Sequence, residues 1–254
     1  MGQVTQEERV IELPDHRIYG KLYRPKEQER KLPLVIVSHG FNGIGDDFEQ
    51  LAVFLAGHGI AAYCYDFCAG SVRTRSSGTT RQMTISLEVS NLLEVYEAAC
   101  TWEEIDPDHI YLFGESQGGL VTALIIEKLQ DKIRGAILQY PALCIFDDWT
   151  KNYPDPELAP EAIELWEVTL SAQFVKDVHG RKVFDEIGTY KGPVLIMHGT
   201  DDPIVPIAYS EQAAETYPNA ELVVFRHAGH GFGEEDQKRR NELVITFIKE
   251  RGNE

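Results

Sequence analysis

The chain has 254 residues, 43% of them hydrophobic and 10% aromatic, enough for one well-buried domain with an insertion and short for two. Its formal net charge of −17, from 41 acidic against 24 basic residues, opposes contact with phosphate backbones and anionic lipid, so nucleic acid is excluded as a partner. No apolar run reaches the roughly 18 residues that span a bilayer, and the N-terminus MGQVTQEERV lacks the basic and apolar regions of a secretory signal; a cytoplasmic chain with no membrane partner is expected.

Along the chain, β-branched apolar segments alternate with helical patterns, the signature of a parallel sheet covered on both faces, so the expected class is α/β. Strands are predicted near 8–13, 17–24, 33–38, 60–66, 109–115, 133–140, 193–198 and 220–227. The first two lie too close for a crossover helix and should form an antiparallel hairpin turning at Asp15-His16. Helical spacing is clear in Phe48, Leu51, Ala52 and Leu55, in Ile85, Val89, Leu92, Leu93 and Tyr96, in Leu120, Ala123 and Leu124, and in Leu243, Val244, Phe247 and Ile248. Each stripe should pack on the sheet. Cys64, Cys68, Cys100 and Cys144 form neither a CxxC pair nor a disulfide framework, which predicts reduced, mostly buried thiols.

One segment breaks the rhythm. Residues 143–190 separate two predicted strands by far more than a helix and two short loops require. The segment carries Trp149, Tyr153, Trp166, Phe174 and Phe184 and the prolines 154, 156 and 160. It is read as an inserted cap, packing a small core of its own, forming a lid over a substrate, or both at once. The remaining residues, 1–142 and 191–254, make up the core.

The chemistry centres on Gly114-Glu115-Ser116-Gln117-Gly118, directly after the apolar run Ile110 to Phe113. A serine between glycines at a strand end, opening a helix, is the pattern of a nucleophile elbow. Glycine-x-serine-x-glycine alone recurs by chance in roughly one chain in ten of this length, so the partners must decide. A serine hydroxyl becomes nucleophilic when a neutral imidazole takes its proton, and a carboxylate must fix that imidazole's tautomer. In open α/β sheets such groups gather at the carboxyl ends of strands. After the strand ending at Met197 comes His198-Gly199-Thr200-Asp201-Asp202-Pro203-Ile204-Val205-Pro206. Asp202 is the better acid, because Pro203 and Pro206 stiffen the loop behind it, while Asp201 suits a turn cap; Asp147 and Asp148 are the alternative source. After the last strand, His230 lies in the glycine-flanked loop His227-Ala228-Gly229-His230-Gly231 and can project over the sheet edge. His227 and His39 are read as structural.

The order Ser116, Asp202, His230 is the one expected for a triad on a doubly wound sheet. Oxyanion stabilisation needs two backbone N–H donors. Gln117 supplies one by position, and Phe41, in Ser38-His39-Gly40-Phe41-Asn42-Gly43, is chosen for the other. Activity should fall in acid as His230 takes up a proton. The eight histidines include no HExxH, and the glycine loop at 40–45 matches neither a dinucleotide nor a P-loop pattern, so no metal and no cofactor are expected.

HGFNG at 39–43, GESQGG at 114–119, HGTDDPIVP at 198–206 and HAGHGF at 227–232 together resemble the α/β-hydrolase superfamily over nearly the whole chain. Within it the sequence is similar to bacterial cinnamoyl and feruloyl esterases, intracellular enzymes that free hydroxycinnamic acids from their esters. The resemblance implies an α/β-hydrolase fold with a mostly parallel, doubly wound eight-stranded sheet and a small inserted cap. It implies the triad Ser116, Asp202 and His230, the oxyanion donors Phe41 and Gln117, and a small-molecule ester as substrate. Asp148 matches the acceptor for the phenolic hydroxyl, with Asp147 adjacent, and Trp166 of the cap would stack on an aromatic acyl group. Short-chain carboxylesterase, monoacylglycerol lipase and acyl-peptide hydrolase activities share this triad, and a non-catalytic receptor could share the fold. A homodimer is left open.

Overall fold

Strand β1 (Val4–Glu8) leads to a small hairpin, β2 (Ile11–Glu12) and β3 (Arg17–Ile18), and then to β4 (Gly20–Pro25), which pairs antiparallel with β1. The structure, a computed structural model, describes residues 2–251; Met1 and residues 252–254, the outer ends of the expected core segments, lie outside the described residues. The predicted first strand at 8–13 is thus displaced. The sheet edge is built by Val4–Glu8, and the turn at Asp15-His16 belongs to the separate two-stranded hairpin, closed by the Leu13 N–H on the His16 carbonyl at 2.9 Å. An edge strand needs one apolar side only, so its polar sequence VTQEE gave little signal.

The remaining sheet strands are β5 (Leu32–Ser38), β6 (Ala61–Tyr65), β7 (Ile105–Glu115) and β8 (Gly135–Gln139). Residues 143–190 contribute the hairpin β9 (Ile163–Leu165) and β10 (Val168–Leu170), and β11 (Val194–Gly199) and β12 (Ala220–Phe225) complete the sheet. The order is β1-β4-β6-β5-β7-β8-β11-β12. It is antiparallel at β1, β4 and β6 and parallel from β6 onward. This is the α/β-hydrolase fold. Because β6 lies on one side of β5 and β7 on the other, winding reverses at the carboxyl end of β5, where such sheets open a crevice.

The helices are α1 (Glu49–Ala56), α2 (Ile85–Ala99), α3 (Gln117–Leu129), α4 (Ile145–Asn152), α5 (Ala172–Val178), α6 (Val183–Glu186), α7 (Ile207–Thr216) and α8 (Glu234–Arg251). Side chains on a strand alternate faces, and the buried residues follow that rule. Leu34 and Ile36, with Ile110 and Leu112, pack into the layer that holds α2, α3 and the inserted segment. Val35 and Val37, with Tyr111 and Phe113, pack into the layer of α1 and α8. Each fully buried Ile, Leu or Val contributes about 1.5–3 kcal/mol of hydrophobic stabilisation, so the fold is held from both faces of the same strands.

Residues 143–190 leave β8 through α4, turn through β9 and β10, and return through α5 and α6 to β11. They do not form a small core of their own. Phe146, Val168, Leu170, Phe174, Val175 and Val178 are continuous with the main core layer of α2 and α3. A segment this short buries enough apolar surface only by sharing the domain's core.

Candidate active site

Ser116 stands between the end of β7 and the first residue of α3, with φ 52° and ψ −116°. A non-glycine residue there is strained by roughly 1–3 kcal/mol and persists only where the surroundings fix it. Its N–H donates to the Gln139 carbonyl at 3.0 Å, and its own carbonyl accepts from Gly119, Leu120 and Ala142. Glycines make the approach possible. A Cβ on Gly114 would lie 2.2 Å from the Gly118 carbonyl oxygen, and one on Gly118 would lie 2.4 Å from that of His39.

The loops after β11 and β12 complete a hydrogen-bonded chain. His230 Nε2 lies 3.0 Å from Ser116 Oγ, and His230 Nδ1 lies 2.8 Å from Asp202 Oδ2. The Asp202 side chain is 1% exposed, and its Oδ1 accepts the N–H groups of Ile204 and Val205 at 2.8 and 2.9 Å. Burial alone would raise its pKa. The Val205 N–H, His230 and the Ile204 N–H outweigh burial and hold the carboxyl below its ordinary value. Asp201, adjacent in sequence, instead faces solvent, accepts from Thr200 Oγ1 and lies 3.4 Å from the ring of exposed His227. Asp147 and Asp148 take no part in this chain.

A residue given no role in the sequence analysis supports Asp202 from behind. His198, fully buried at the end of β11, places Nε2 at 3.2 Å from Asp202 Oδ2 and 3.0 Å from the Val205 carbonyl, and Nδ1 at 2.7 Å from Ser210 Oγ. Burial lowers its pKa. A neutral ring that donates from Nε2 and accepts the Ser210 hydroxyl at Nδ1 satisfies all three contacts.

The loop after β5 supplies the other wall. His39 Nδ1 sits 2.8 Å from the Gly40 carbonyl while Nε2 accepts the Phe67 N–H at 3.0 Å, so its ring pins the loop and stays away from Ser116 chemistry. Asn42, at φ 58°, accepts the Val72 N–H on its side-chain oxygen at 3.0 Å. The Phe41 and Gln117 amide N–H groups have no acceptor among the described residues. Both residues line one cavity with Ser116. The Gln117 side chain turns inward and donates to both carboxyl oxygens of buried Glu88 at 2.9 Å. Burial pushes the Glu88 carboxyl up to about 8 against the opposing pull of that amide.

The cavity encloses about 120 Å³. Its walls come from the elbow, from α4 and from the β9–β10 hairpin. Asp148, Trp149, Leu165, Trp166 and Phe174 line it, and Asp148 is its one charged side chain. Asp147 points to a different cleft and accepts the Tyr209 hydroxyl at 2.7 Å, which separates two residues the sequence could not. Trp166 is 60% exposed and meets the Phe41 ring edge-on at 5.8 Å. It sits at the tip of the hairpin, where Trp166 and Glu167 both have positive φ, 46° and 66°, as a type I′ turn requires.

Comparison with known proteins fixes the family. The prolyl oligopeptidase family matches residues 80–253, a span that holds Ser116, Asp202 and His230. The chain belongs to this family. As a prolyl oligopeptidase family member with an α/β-hydrolase fold, it is similar to Est1E from Butyrivibrio proteoclasticus, solved with ferulic acid bound, at 26% identity and a TM-score of 0.88 over 97% of this chain and 100% of that one. Curated relatives match shorter stretches. The AB hydrolase superfamily protein YisY of Bacillus subtilis is 34% identical over 62 residues, 24% of this chain and 23% of its own. The non-heme haloperoxidase of Rhodococcus erythropolis is 34% identical over 108 residues, 39% of each chain. The chain therefore spans well under half the length of these two relatives. No helix among the described residues is long and apolar enough to cross a membrane.

Proposed function

We propose that this family member is a serine esterase that hydrolyses small, neutral carboxylic esters, hydroxycinnamoyl esters foremost. The observation that carries the proposal is the chain Ser116 Oγ–His230–Asp202 beside two amide N–H groups without acceptors. His230 takes the Ser116 proton as the hydroxyl oxygen attacks the ester carbonyl, and Asp202 holds the ring and stabilises the imidazolium. The oxyanion rests on the Phe41 and Gln117 amides, each contributing about 3 kcal/mol in the transition state. His230 then gives its proton to the departing alcohol. Water repeats the sequence on the acyl-enzyme.

Residues 143–190 serve in this proposal as the cap that selects the acyl group. A narrow apolar cavity with aromatic walls suits a flat ring, and Asp148, its one charged group, suits a ring hydroxyl as donor. The likeness to Est1E, solved with ferulic acid, supports the same choice. A second reading, cleavage of short acyl-peptides, is favoured by the family match. A kinetic panel of methyl ferulate, methyl cinnamate, a short-chain nitrophenyl ester and an aminoacyl amide separates these readings. The ferulate should be the best substrate, and Asp148→Ala should penalise it over the cinnamate by about 1–3 kcal/mol. Parity of ferulate with the short ester would reject the hydroxycinnamoyl assignment, and preference for the amide would select the peptidase. Fluorophosphonate labelling that survives in Ser116→Ala would reject the nucleophile.

A further inference from the structure

Beside the His230 ring lies a polar network, none of whose members lines the cavity, that neither the triad nor the oxyanion donors require. Tyr140, at φ 33° just after β8, sets its ring 4.6 Å from that of His230, tilted by 52°, and its edge against Phe232. Its hydroxyl donates to Glu115 Oε2 at 2.7 Å, and Gln139 Nε2 lies 2.7 Å from the same oxygen. Gln139 Oε1 in turn accepts from the buried guanidinium of Arg240 at 2.8 Å. Glu115 is the residue directly before the nucleophile. The network therefore ties the elbow, the ring behind the base and α8 into one unit.

We infer that Glu115, acting through the Tyr140 hydroxyl, is a positioning residue for His230 and supplies the negative charge that steadies its imidazolium as Ser116 loses its proton. The inference rests on the esterase reading above. Two donors converge on one Glu115 oxygen, the arrangement of a carboxylate. The Tyr140 ring lies 4.6 Å from a ring that becomes cationic during the reaction, within the range over which an aromatic ring attracts a cation. Among the described residues, the charged and titratable groups that these contacts place around His230 are Asp202 and His198 from the β11 side, Glu115 at the end of β7 and Tyr140 after β8, with Arg240 from α8 and Asp47 before α1 facing Glu115. Asp202 orients the ring along Nδ1. Glu115 and Tyr140 act from the Tyr140 side of the ring. An anion there favours the protonated ring, so removing it weakens the base and moves the loss of activity to lower pH.

The test is the pH profile of kcat/KM for a short nitrophenyl ester in wild type, Glu115→Gln, Glu115→Asp, Tyr140→Phe and the double variant that combines Glu115→Gln with Tyr140→Phe. Glu115→Gln keeps an acceptor for Tyr140 while discarding the charge. It should lower kcat about ten-fold with KM unchanged and shift the acid limb down by about half a pH unit. Glu115→Asp should restore the limb, and Tyr140→Phe should lower kcat with less shift. In the double variant the two losses should be less than additive, because both act on one ring. An acid limb that stays in place in Glu115→Gln, with a lowered Tm as the sole effect, overturns the inference and leaves Glu115 a structural residue. Should Glu115→Gln fail to fold, an unmoved kcat and acid limb in Tyr140→Phe overturns it as well. Absence of wild-type turnover on every ester, with no fluorophosphonate labelling of Ser116, would instead remove the esterase reading beneath it.

Discussion

The loops after β11 and β12 each carry two candidates, and they pair off as Asp202 with His230 and Asp201 with His227. The residue types are the same and the environments are opposite. Asp202 is 1% exposed, with one oxygen held by two backbone N–H groups and the other on His230. Asp201 and His227 are 57% and 88% exposed and sit 3.4 Å apart. Water and salt screen an exposed pair of that kind and leave both side chains free to separate. The comparison teaches that an Asp–His contact is held in one geometry when every other lone pair of the carboxylate is already occupied, so that its position is imposed by the backbone.

The sharpest way to break this comparison is to alter one side chain at a time in each pair. Asp202→Asn should lower kcat by about 10³–10⁴-fold, because the amide favours the wrong imidazole tautomer. Asp201→Asn and His227→Ala should stay within about two-fold of wild type, and comparable losses at both positions would erase the distinction. A second contrast sets Asp202 against Glu88, since burial is overcome in one and wins in the other. Asp202 has a depressed pKa, so its contribution to stability is present at neutral pH and is lost as pH falls through its folded value; Asp202→Asn should be destabilising at pH 7 and converge with wild type in acid. Glu88 is raised from 4.5 to about 8, so its penalty grows as pH rises between those values. Glu88→Gln should therefore stabilise the fold by on the order of 3 kcal/mol at pH 7 and by nothing near pH 4.5. Urea melts at pH 4.5, 6, 7 and 8 decide the matter, and a Glu88→Gln advantage that is constant with pH would refute it. The smallest effect concerns the hairpin tip. Trp166→Ala should raise KM for methyl ferulate about three- to ten-fold while the rate of Ser116 labelling changes little, as expected for a side chain that binds without entering the chemistry.

Periodicity and strand-end position made the sheet and the serine legible, because both are local: a strand reads as alternation or an apolar run, and an elbow reads as Gly-x-Ser-x-Gly before a helix. Choosing Asp202 over Asp201 was also local, through the prolines that follow it. The edge strand Val4–Glu8 escaped because its one paired side and polar faces carry no core pattern. Tyr140 and Arg240 escaped for a different reason, since each meets residues far away in sequence, His230 and Gln139; His198 escaped although its partners Asp202, Val205 and Ser210 lie close in sequence, because a histidine at a buried strand end carries no pattern that points to them. Glu88 did leave a signal. It lies three residues after Ile85 and one before Val89, a carboxyl on the apolar stripe of α2, and such a residue asks for a partner, which Gln117 provides.

The clearance at Gly114 and Gly118 constrains how this molecule can be altered. With hypothetical methyl groups only 2.2 and 2.4 Å from carbonyl oxygens, the serine turn and the loop bearing Phe41 leave no slack between them and move as one solid part. Redesign therefore has little room at the floor of the cavity. Its freedom lies in the roof, where half-buried Leu165 and exposed Trp166 can be exchanged without disturbing Ser116, His230 or Asp202.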